Sequence, residues 1–327
     1  CSSDGVPSVA THPVWEVDPE ALVSIGVTEG DAPYLFEDVG AARLLRDGRI
    51  AVADRGRGVI RVFDGEGHFA AEMGRRGQGP GEFVSPGKAW ANEKGEIFVF
   101  DNLGQKLLCY SSDGRYLRQN ILPYRFFSVF MDSEGRLFGS GWGDGEENGM
   151  DNQIVCCIPP YKEVSVIVSR PYTREFFSIS SLQYAAAGPD HIFWREGEDY
   201  ELFVYDTLER KIIKKITKDF TPKPITRKFL TNWGLDRKDV SIDPKRKNLP
   251  PIQALYPSFS DVIFVRTFET NEDNHSIYNV FDPEWRYLGD LTLPGNPYLT
   301  KGDKFYTVGI DPDGYCFVKR YRIVRHF

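Results

Sequence analysis

The sequence lacks the features that mark several large classes of protein. No apolar run approaches the roughly 20 residues that a helix needs to cross a bilayer, and helical periodicity is scarce. Neither a Gly-x-Ser-x-Gly elbow nor a His-Glu-x-x-His pair is present, and the five histidines are scattered. The net charge of −7 argues against a general nucleic-acid binder, which needs a concentrated basic surface. These absences disfavour a helical membrane protein, hydrolases of those two types and a nucleic-acid partner.

Cysteine is also scarce, with five residues in a chain of 327. Cys109, Cys156, Cys157 and Cys316 allow three disulfide pairings, and the sequence does not choose among them. Neighbouring side chains on a strand point to opposite faces, so Cys156 and Cys157 do not chelate one metal ion as a pair. We expect these four residues to be buried free thiols that behave as small apolar side chains.

The fifth cysteine is the first residue, Cys1, and small polar residues follow it. Signal-peptidase cleavage at a bacterial lipobox leaves a chain that begins with a lipid-bearing cysteine. The alternative is that the sequence begins at this position arbitrarily. We expect residues 1–12 to be a tether lipidated at Cys1. Such a tether would hold the protein at the cell envelope, on the periplasmic or surface-exposed side of the outer membrane, with membrane contact only through the lipid.

The most informative positive feature is a segment that recurs along the chain. Residues 47–69 reappear at 94–116 with a constant offset of 47 residues. The matched positions include Gly48 and Gly95, Ile50 and Ile97, Asp54 and Asp101, and Phe63 and Tyr110. Self-similarity at a period in the forties, with short strands separated by Asp-Gly or Glu-Gly turns, predicts a propeller or solenoid built of antiparallel hairpins.

Six such units fit the chain. The later ones pass through Leu137, Ile192, Val280 and, for the sixth, Asp313 and Gly314. The sixth unit reaches the end of the chain after about three strands, and residues 13–17 supply a candidate for the missing strand, which would leave no open sheet edge. We therefore predict an all-β fold. We expect residues 13–327 to form a single six-bladed β-propeller of four-stranded antiparallel blades, closed by an N-terminal strand that completes the last blade.

The stretch GRRGQGPGEF, from Gly74 to Phe83, is followed by Pro86. It resembles the signature that joins the first two full blades in the six-bladed, NHL-like propeller lipoproteins of Bacteroidetes. The first repeat, GRIAVADRGRGVIRVFD, is similar to NHL repeats more widely. The resemblance extends over residues 36–117 and implies a six-bladed, often lipid-anchored propeller. It supplies no catalytic residues, because the His and acidic motifs of the lyases and lactonase-like metalloenzymes among NHL-like propellers do not match here.

The glycine-rich part of this stretch has two interpretations. Its glycines permit unusual backbone angles, which suits a structural connection between blades. The alternative is an anion site, in which the backbone N–H groups of Gly77 and Gly79 act beside Arg75 and Arg76. The stretch lacks the Lys-Ser/Thr pair and the following helix of a phosphate-binding loop, which favours the structural interpretation.

A second internal echo, residues 123–128 and 171–178, lies where the outer strand of one blade leads to the inner strand of the next. In a propeller these connections and the ends of the second strands surround one mouth of the central channel. The candidate mouth residues are Tyr124, Arg125, Tyr172, Arg174, Arg55, Trp142, Arg195 and Arg320. Aromatic faces beside guanidinium groups suit carbohydrate, aromatic or carboxylate ligands. The alternative is that these arginines pair with nearby acids and that the phenylalanines of the echo wedge between blades.

Two classes of function follow. The leading hypothesis is an envelope propeller that binds a polar ligand at the mouth without catalysis, the ligand being a glycan, a small molecule or a segment of an envelope protein. The competing hypothesis is a lyase or hydrolase, with or without a metal ion, that acts on glycans or small esters. Asp54 and Asp101 occupy equivalent repeat positions, which favours a turn or strand-ending role over chemistry. We expect a monomer with no resident cofactor, and a divalent cation in the channel is left open.

Overall fold

Strands make up nearly all of the regular structure in the computed structural model. It describes residues 14–18, 20–45, 47–144, 150–171, 183–187, 190–195, 199–232, 247–256, 262–272, 275–293, 297–301, 304–310 and 313–326. Within these ranges the helical elements are a short 3-10 turn, Ala32–Tyr34, and helix α1, Arg227–Asn232. Neither is long and apolar enough to cross a membrane.

The strands form six antiparallel blades. After the N-terminal strands β1 (Val14–Val17) and β2 (Val23–Ile25), the first blade contains β3 (Val39–Leu44), β4 (Ile50–Asp54), β5 (Val59–Phe63) and β6 (Phe69–Met73). The second contains β7 (Pro86–Ala91), β8 (Ile97–Asp101), β9 (Lys106–Tyr110) and β10 (Tyr116–Ile121). The third contains β11 (Phe126–Met131), β12 (Leu137–Asp144), β13 (Met150–Cys157) and β14 (Val164–Pro171).

The last three blades follow the same order along the chain. The fourth contains β15 (Gln183–Ala187), β16 (His191–Arg195), β17 (Glu201–Asp206) and β18 (Lys211–Thr217). The fifth contains β19 (Ala254–Tyr256), β20 (Ile263–Thr270), β21 (Ser276–Phe281) and β22 (Tyr287–Leu293). The sixth contains β23 (Pro297–Lys301), β24 (Lys304–Ile310) and β25 (Cys316–His326). The predicted all-β, six-bladed propeller is confirmed.

The sequence repeat is a repeat of strand register. Ile50 pairs with Phe63 in the first blade, and Ile97 pairs with Tyr110 in the second, 47 residues later. The turns before these strands hold Gly48 at φ 89° and Gly95 at φ 77°, a left-handed conformation that favours glycine over other residues. The Asp-Gly and Lys-Gly steps therefore set the first hairpin of these two blades.

The hydrophobic core lies between the blades. Ile97 and Val99 of β8 pack toward the first blade, whereas Phe98 and Phe100 of the same strand pack toward the third. All five residues of β8 are buried, as are those of β4, β5 and β9. Because both faces of these middle strands are covered by neighbouring blades, they are mostly apolar, and their charged residues, Asp54, Arg61, Asp101 and Lys106, are buried as well. The outer strands are different, and β10 is largely exposed.

The N-terminal segment closes the ring of blades. Val23 pairs with Arg320 and Ile25 with Val318, so that β2 is the fourth strand of the sixth blade. The preceding strand, β1, continues the same antiparallel pairing toward His326 and also pairs in parallel with β22 of the fifth blade. The predicted closure is confirmed, and it uses two short strands where the sequence analysis proposed one.

The sixth blade begins earlier than the sequence repeat suggested. Asp313 and Gly314 were expected to open it, but they lie in the turn between β24 and β25, which are its second and third strands. The first strand of this blade, β23, starts at Pro297. In this blade the Asp-Gly sequence lies between the second and third strands, whereas in the first blade it lies between the first and second strands. The repeat was therefore matched to the wrong hairpin.

The four cysteines outside the N-terminus are free. Cys156 packs between the third and fourth blades, and its neighbour Cys157 packs between the second and third, as expected for opposite faces of one strand. Cys109 is buried as well, whereas Cys316 is only half-buried. The expectation of buried thiols therefore holds for three of the four.

Candidate functional site

One end of the propeller carries the turns that follow the second strands together with the connections between blades. Asp54, at the end of β4, accepts hydrogen bonds of 3.2 Å from the backbone N–H groups of both Glu37 and Asp38, which precede β3. Asp101, at the end of β8, accepts two of 2.8 Å from Val84 and Ser85. We call this end of the propeller the mouth face.

Both carboxylates are fully buried. Asp54 accepts a further backbone hydrogen bond from Arg57, and Asp101 accepts one from Gly104. A buried carboxylate whose oxygens accept several backbone N–H groups is fixed in place, which suits a structural role. The arrangement agrees with the strand-ending role predicted for these two residues.

Two of the arginines predicted to lie at the mouth face are held by the rest of the protein, one in an ion pair and the other by burial. The guanidinium of Arg55 is 3.0 Å from Asp38, and the side chain lies over Gly40 of β3. Arg195, the last residue of β16, is only 3% exposed. Arg55 thus follows the alternative in which an arginine pairs with a nearby acid, and Arg195 is buried in the wall of the fold.

Arg320 does not lie at the end of a second strand, so this part of the prediction is wrong. It lies inside β25, the third strand of the sixth blade. Its guanidinium donates a 2.5 Å hydrogen bond to the carbonyl of Gly65, in the turn between the third and fourth strands of the first blade. Such turns lie at the end of the propeller opposite the mouth face, so Arg320 fastens the sixth blade to the first.

The connection into the third blade carries Tyr124 and Arg125. The Tyr124 ring packs on Phe126 at 5.0 Å between ring centres, and its hydroxyl lies 3.4 Å from Oε1 of Gln153. Burial raises the pKa of Tyr124 to about 12, so its hydroxyl stays protonated. Arg125 is exposed, and no hydrogen bond or ion pair engages its side chain within the described ranges.

The first two strands of the same blade present an aromatic pair. Phe127 and Trp142 meet edge to face with ring centres 4.6 Å apart, and they are 48% and 39% exposed. The indole N–H of Trp142 donates to Oδ1 of Asn152 at 3.2 Å, which helps to orient the ring. Sequence reasoning identified Trp142 as a mouth residue. It treated Phe127 as a wedge between blades, but nearly half of its surface is open.

Three predicted site residues lie outside the described residues. They are Tyr172 and Arg174, from the second copy of the echo, and Cys1, the expected lipidation site. Their roles stay predictions.

The glycine-rich loop between β6 and β7 binds one of the chain's own carboxylates. Glu82 Oε2 accepts the N–H of Gly79 at 2.9 Å, and Glu82 Oε1 lies 2.7 Å from the guanidinium of Arg75. These contacts, with the Gly79 N–H first, hold the pKa of Glu82 below its usual range. The N–H of Gly77 donates to the Phe83 carbonyl. An external anion would have to displace Glu82, and this favours the structural interpretation of the loop.

Arg76 takes part in the same structural connection. Its guanidinium donates to the carbonyls of Arg55 and Gly56, in the turn that follows β4. The loop between the first two blades is thereby joined to the mouth-face turn of the first blade.

A cavity that the sequence analysis missed lies between the fourth and fifth blades. Its volume is about 380 Å³, at the small end of the range for ligand pockets. The lining comes from the connection between β18 and β19, from β20, β21 and β22, and from Tyr200, which precedes β17. The sequence signal that could have revealed it is the length of that connection, residues 218–253.

Several polar groups of this cavity are held in defined orientations. Asn279 donates through Nδ2 to Oδ1 of Asp290 at 2.5 Å, and the hydroxyl of Tyr287 donates to the same oxygen at 2.7 Å. Lys218 lies over the rings of Tyr200 and Tyr287, with its ammonium nitrogen 5.5 Å and 4.8 Å from their centres. Among the residues that the structure describes, the Oδ1 atom of Asn279 and the hydroxyl of Tyr200 have no hydrogen-bond partner, although both residues are at least 96% buried.

Across the described residues, no three His, Cys, Asp or Glu side chains are grouped so that they could hold a metal ion.

Comparison with known proteins identifies the fold. A family model described as a 6-bladed beta-propeller, DUF5128, matches residues 34–146. Among solved structures, a candidate exported protein from Bacteroides fragilis is 14% identical over 94% of this chain and 95% of its own, with a TM-score of 0.58. A member of the DUF4221 family from Bacteroides vulgatus is 12% identical over 96% and 99%, with a TM-score of 0.59. A candidate gluconolactonase is 10% identical over 95% and 96%, with a TM-score of 0.50.

The chain is a six-bladed β-propeller, and its resemblance to six-bladed propellers of Bacteroidetes is confirmed. Identities of 10–14% show a shared fold and not a shared activity. A search of curated proteins finds no match. The lipid anchor and the NHL-like character stay predictions.

Proposed function

We propose that this propeller is a binding module, which holds a glycan or another small polar ligand at the mouth face of its third blade without catalysis. The observation that carries the proposal is the exposed pair of Phe127 and Trp142, fixed at 4.6 Å between ring centres and oriented by Asn152. Exposed aromatic rings in a set orientation lose little conformational entropy when a ligand covers them.

The chemistry of the neighbouring residues fits the same class of ligand. The C–H face of a sugar ring can pack on the indole, while hydroxyl or carboxylate groups accept hydrogen bonds from a guanidinium. Arg125, exposed in the connection that leads into the third blade, is the guanidinium that we assign to this role. Arg174 is the equivalent residue in the second copy of the echo.

The contacts of the buried acids favour binding over the competing hydrolase or lyase. Asp54 and Asp101, which end second strands at the mouth face, each accept three backbone N–H groups. Both carboxylates are fully buried and their oxygens are engaged by the backbone, so they are not positioned to contact a substrate.

The test is calorimetric titration of the protein with a panel of oligosaccharides, sugar acids and short peptides. For a ligand that binds the mouth, Trp142→Ala and Arg125→Ala should each weaken binding about tenfold. Leu103→Ala, on the mouth face of the second blade, and Arg115→Ala, in an exposed turn at the opposite end, are the controls and should leave affinity unchanged. Equal affinity in all four variants would place the ligand elsewhere, and turnover of any panel member would support the enzyme.

We also propose that the protein acts at the cell envelope as a monomer tethered by a lipid on Cys1. The support is the polar tether sequence after Cys1 and the likeness to a candidate exported protein. In cells that produce the full precursor, Cys1→Ser should move the protein from the membrane fraction to the fluid of the same compartment. Retention of this variant in the membrane fraction would contradict the anchor.

A further inference from the structure

We infer that Lys88 and Ser128, on the first strands of the second and third blades, form a second binding site in the wall of the central channel, and that this site takes a small molecule bearing a carboxylate. The inference goes beyond the ligand proposed for the mouth face and does not rest on it. It is carried by an ammonium group that has no acidic partner among the described residues and by the donors beside it that have no acceptor.

The two residues lie where a ligand in the channel can reach them. The first strands of the blades surround the channel of a propeller, and β7 and β11 are the first strands of the second and third blades. Lys88 of β7 and Ser128 of β11 meet across the boundary between these blades, with Nζ 2.8 Å from Oγ. Both residues keep part of their surface accessible, so the pair is not sealed in the core.

The charge of Lys88 is not balanced by an acid. Within the described ranges its ammonium forms no ion pair, and it donates to neutral oxygens, the Ser128 hydroxyl and, at 3.4 Å, the Val129 carbonyl. The charged group that acts on it there is Arg43 of β3, which is also positive. Because a charge inside a protein is costly unless it is paired, an anion from outside is the group that this site lacks.

The donors of the pair favour a carboxylate among anions. A protonated lysine has three N–H donors, and Lys88 uses two of them. The Ser128 hydroxyl accepts one of these, so its own hydrogen is left for an acceptor, which no described residue supplies. One N–H and one O–H match the two oxygens of a carboxylate, and one ammonium balances its single charge. A phosphate dianion would need further donors and further positive charge.

A bound carboxylate should change the protonation of Lys88. Burial, and then the charge of Arg43, lowers the pKa of Lys88 to about 7, so at pH 8 most molecules of the free protein carry a neutral amine. A neighbouring negative charge favours the protonated form and raises this pKa. Binding at pH 8 should therefore take up part of a proton, up to one per site. A carboxylate held only by Arg125 at the mouth face would take up none.

The experiment is calorimetric titration of the whole chain at pH 8 in two buffers of different ionisation enthalpy, which gives the affinity and the number of protons taken up. The probes are acetate, lactate, glucuronate and galacturonate, with glucose, galactose and inorganic phosphate for comparison. We expect carboxylates to bind with proton uptake and the neutral sugars to cause none. Binding of acetate or lactate would show that a free organic acid suffices, and binding of the two uronates alone would show that a sugar carries the carboxylate.

Lys88→Met is the decisive variant, because it removes the charge and keeps an apolar chain. It should abolish proton uptake and weaken carboxylate binding about tenfold or more. Ser128→Ala should weaken binding about tenfold. The exposed Lys162→Met is the matched control and should keep both the affinity and the uptake of the wild type. Trp142→Ala should leave the uptake in place.

The site assignment is wrong if no carboxylate binds, if binding takes up no proton, or if Lys88→Met binds as the wild type does. Tighter binding of phosphate than of every carboxylate would overturn the class of ligand. Binding that is lost in Trp142→Ala and kept in Lys88→Met would place the ligand at the mouth face. That pattern would leave the mouth proposal standing, so the two proposals fail separately.

Discussion

Lys88 and Ser128 join the first strands of the second and third blades. The ammonium nitrogen of Lys88 on β7 donates a 2.8 Å hydrogen bond to the hydroxyl of Ser128 on β11. The same nitrogen lies 3.4 Å from the Val129 carbonyl. Burial, reinforced by the positive charge of Arg43, lowers the pKa of Lys88 to about 7. An amine that neutral oxygen atoms solvate in this way loses its proton near physiological pH.

The lowered pKa makes stability depend on pH. In the unfolded chain a lysine keeps its proton up to a pKa of about 10.4, so between pH 7 and 10 the unfolded state binds more protons than the folded one. Stability contributed by Lys88 therefore rises with pH through this window. We expect the Tm of Lys88→Met to rise less than that of the wild type between pH 7 and 10. The exposed Lys162→Met is the control and should follow the wild type. Parallel profiles for all three proteins would show that Lys88 titrates normally.

Asp101 tests whether the buried carboxylates at the mouth face act as structural clamps on the backbone of the turns around them. Asp101→Ala leaves three backbone N–H groups without their acceptor inside the fold, which should cost about 3 kcal/mol or more in the free energy of unfolding. Asp113→Ala, in an exposed turn, should cost less than about 1 kcal/mol. Urea denaturation measures both. Similar losses in the two variants would remove the argument that Asp101 is a structural clamp.

Gly74 tests the loop between the first two blades. It has φ +72°, and a methyl group at this position would overlap the ring of Phe83. Gly74→Ala should therefore lower the free energy of unfolding by about 2–4 kcal/mol, through backbone strain and overpacking. Gly65→Ala, where the nearest atom is 3.7 Å away, should change it by no more than about 0.5 kcal/mol. Equal effects would mean that the loop adjusts freely around Phe83.

Ile25 tests closure by the N-terminal segment. It is fully buried on β2 against the core between the sixth and first blades. Ile25→Ala should cost about 2–5 kcal/mol, and Val27→Ala, which removes a side chain from a residue that is 42% exposed, should cost little. If the two variants have the same Tm, β2 is not part of the cooperatively unfolding structure.

The thiols should differ in reactivity. Burial raises the pKa of Cys109, Cys156 and Cys157 to about 11, whereas Cys316 is half-buried. Since the thiolate is the reactive form, iodoacetamide at pH 8 should label Cys316 before these three in the folded protein. All four should react in denaturant. Peptide mass spectrometry reads the order, and early labelling of Cys109 would contradict its burial.

Much of the fold could be predicted from the amino-acid sequence. The offset between Asp54 and Asp101 predicted equal places in two blades, and the two carboxylates accept N–H groups from equivalent positions, Glu37, Asp38 and Arg57 in one case and Val84, Ser85 and Gly104 in the other. Repeated hairpins are local, so a repeated turn sequence is enough to predict them.

The candidate site could be predicted less completely from the sequence. Trp142 was found because it lies near the end of a second strand, but Arg320 was misplaced, since its Asp-Gly turn belongs to a different hairpin of the blade. Arg75 pairs with Glu82, which lies only seven residues away in the sequence. The glycine loop folds onto this carboxylate where the ring of Phe83 packs against Tyr110 of the next blade. Turn sequences do not carry this information.

The sequence by itself determined the number of blades, the strand registers of the first two and the use of an N-terminal segment to close the ring. These depend on glycine and acidic residues at turns and on apolar runs in strands, which act over a few neighbouring residues. Only the tertiary structure decided that Tyr200, Lys218 and Asn279 line one cavity, although they come from two blades and the connection between them. The physical reason is that the packing of neighbouring blades, and not any local pattern, sets which side chains meet and which polar atoms are left without a partner.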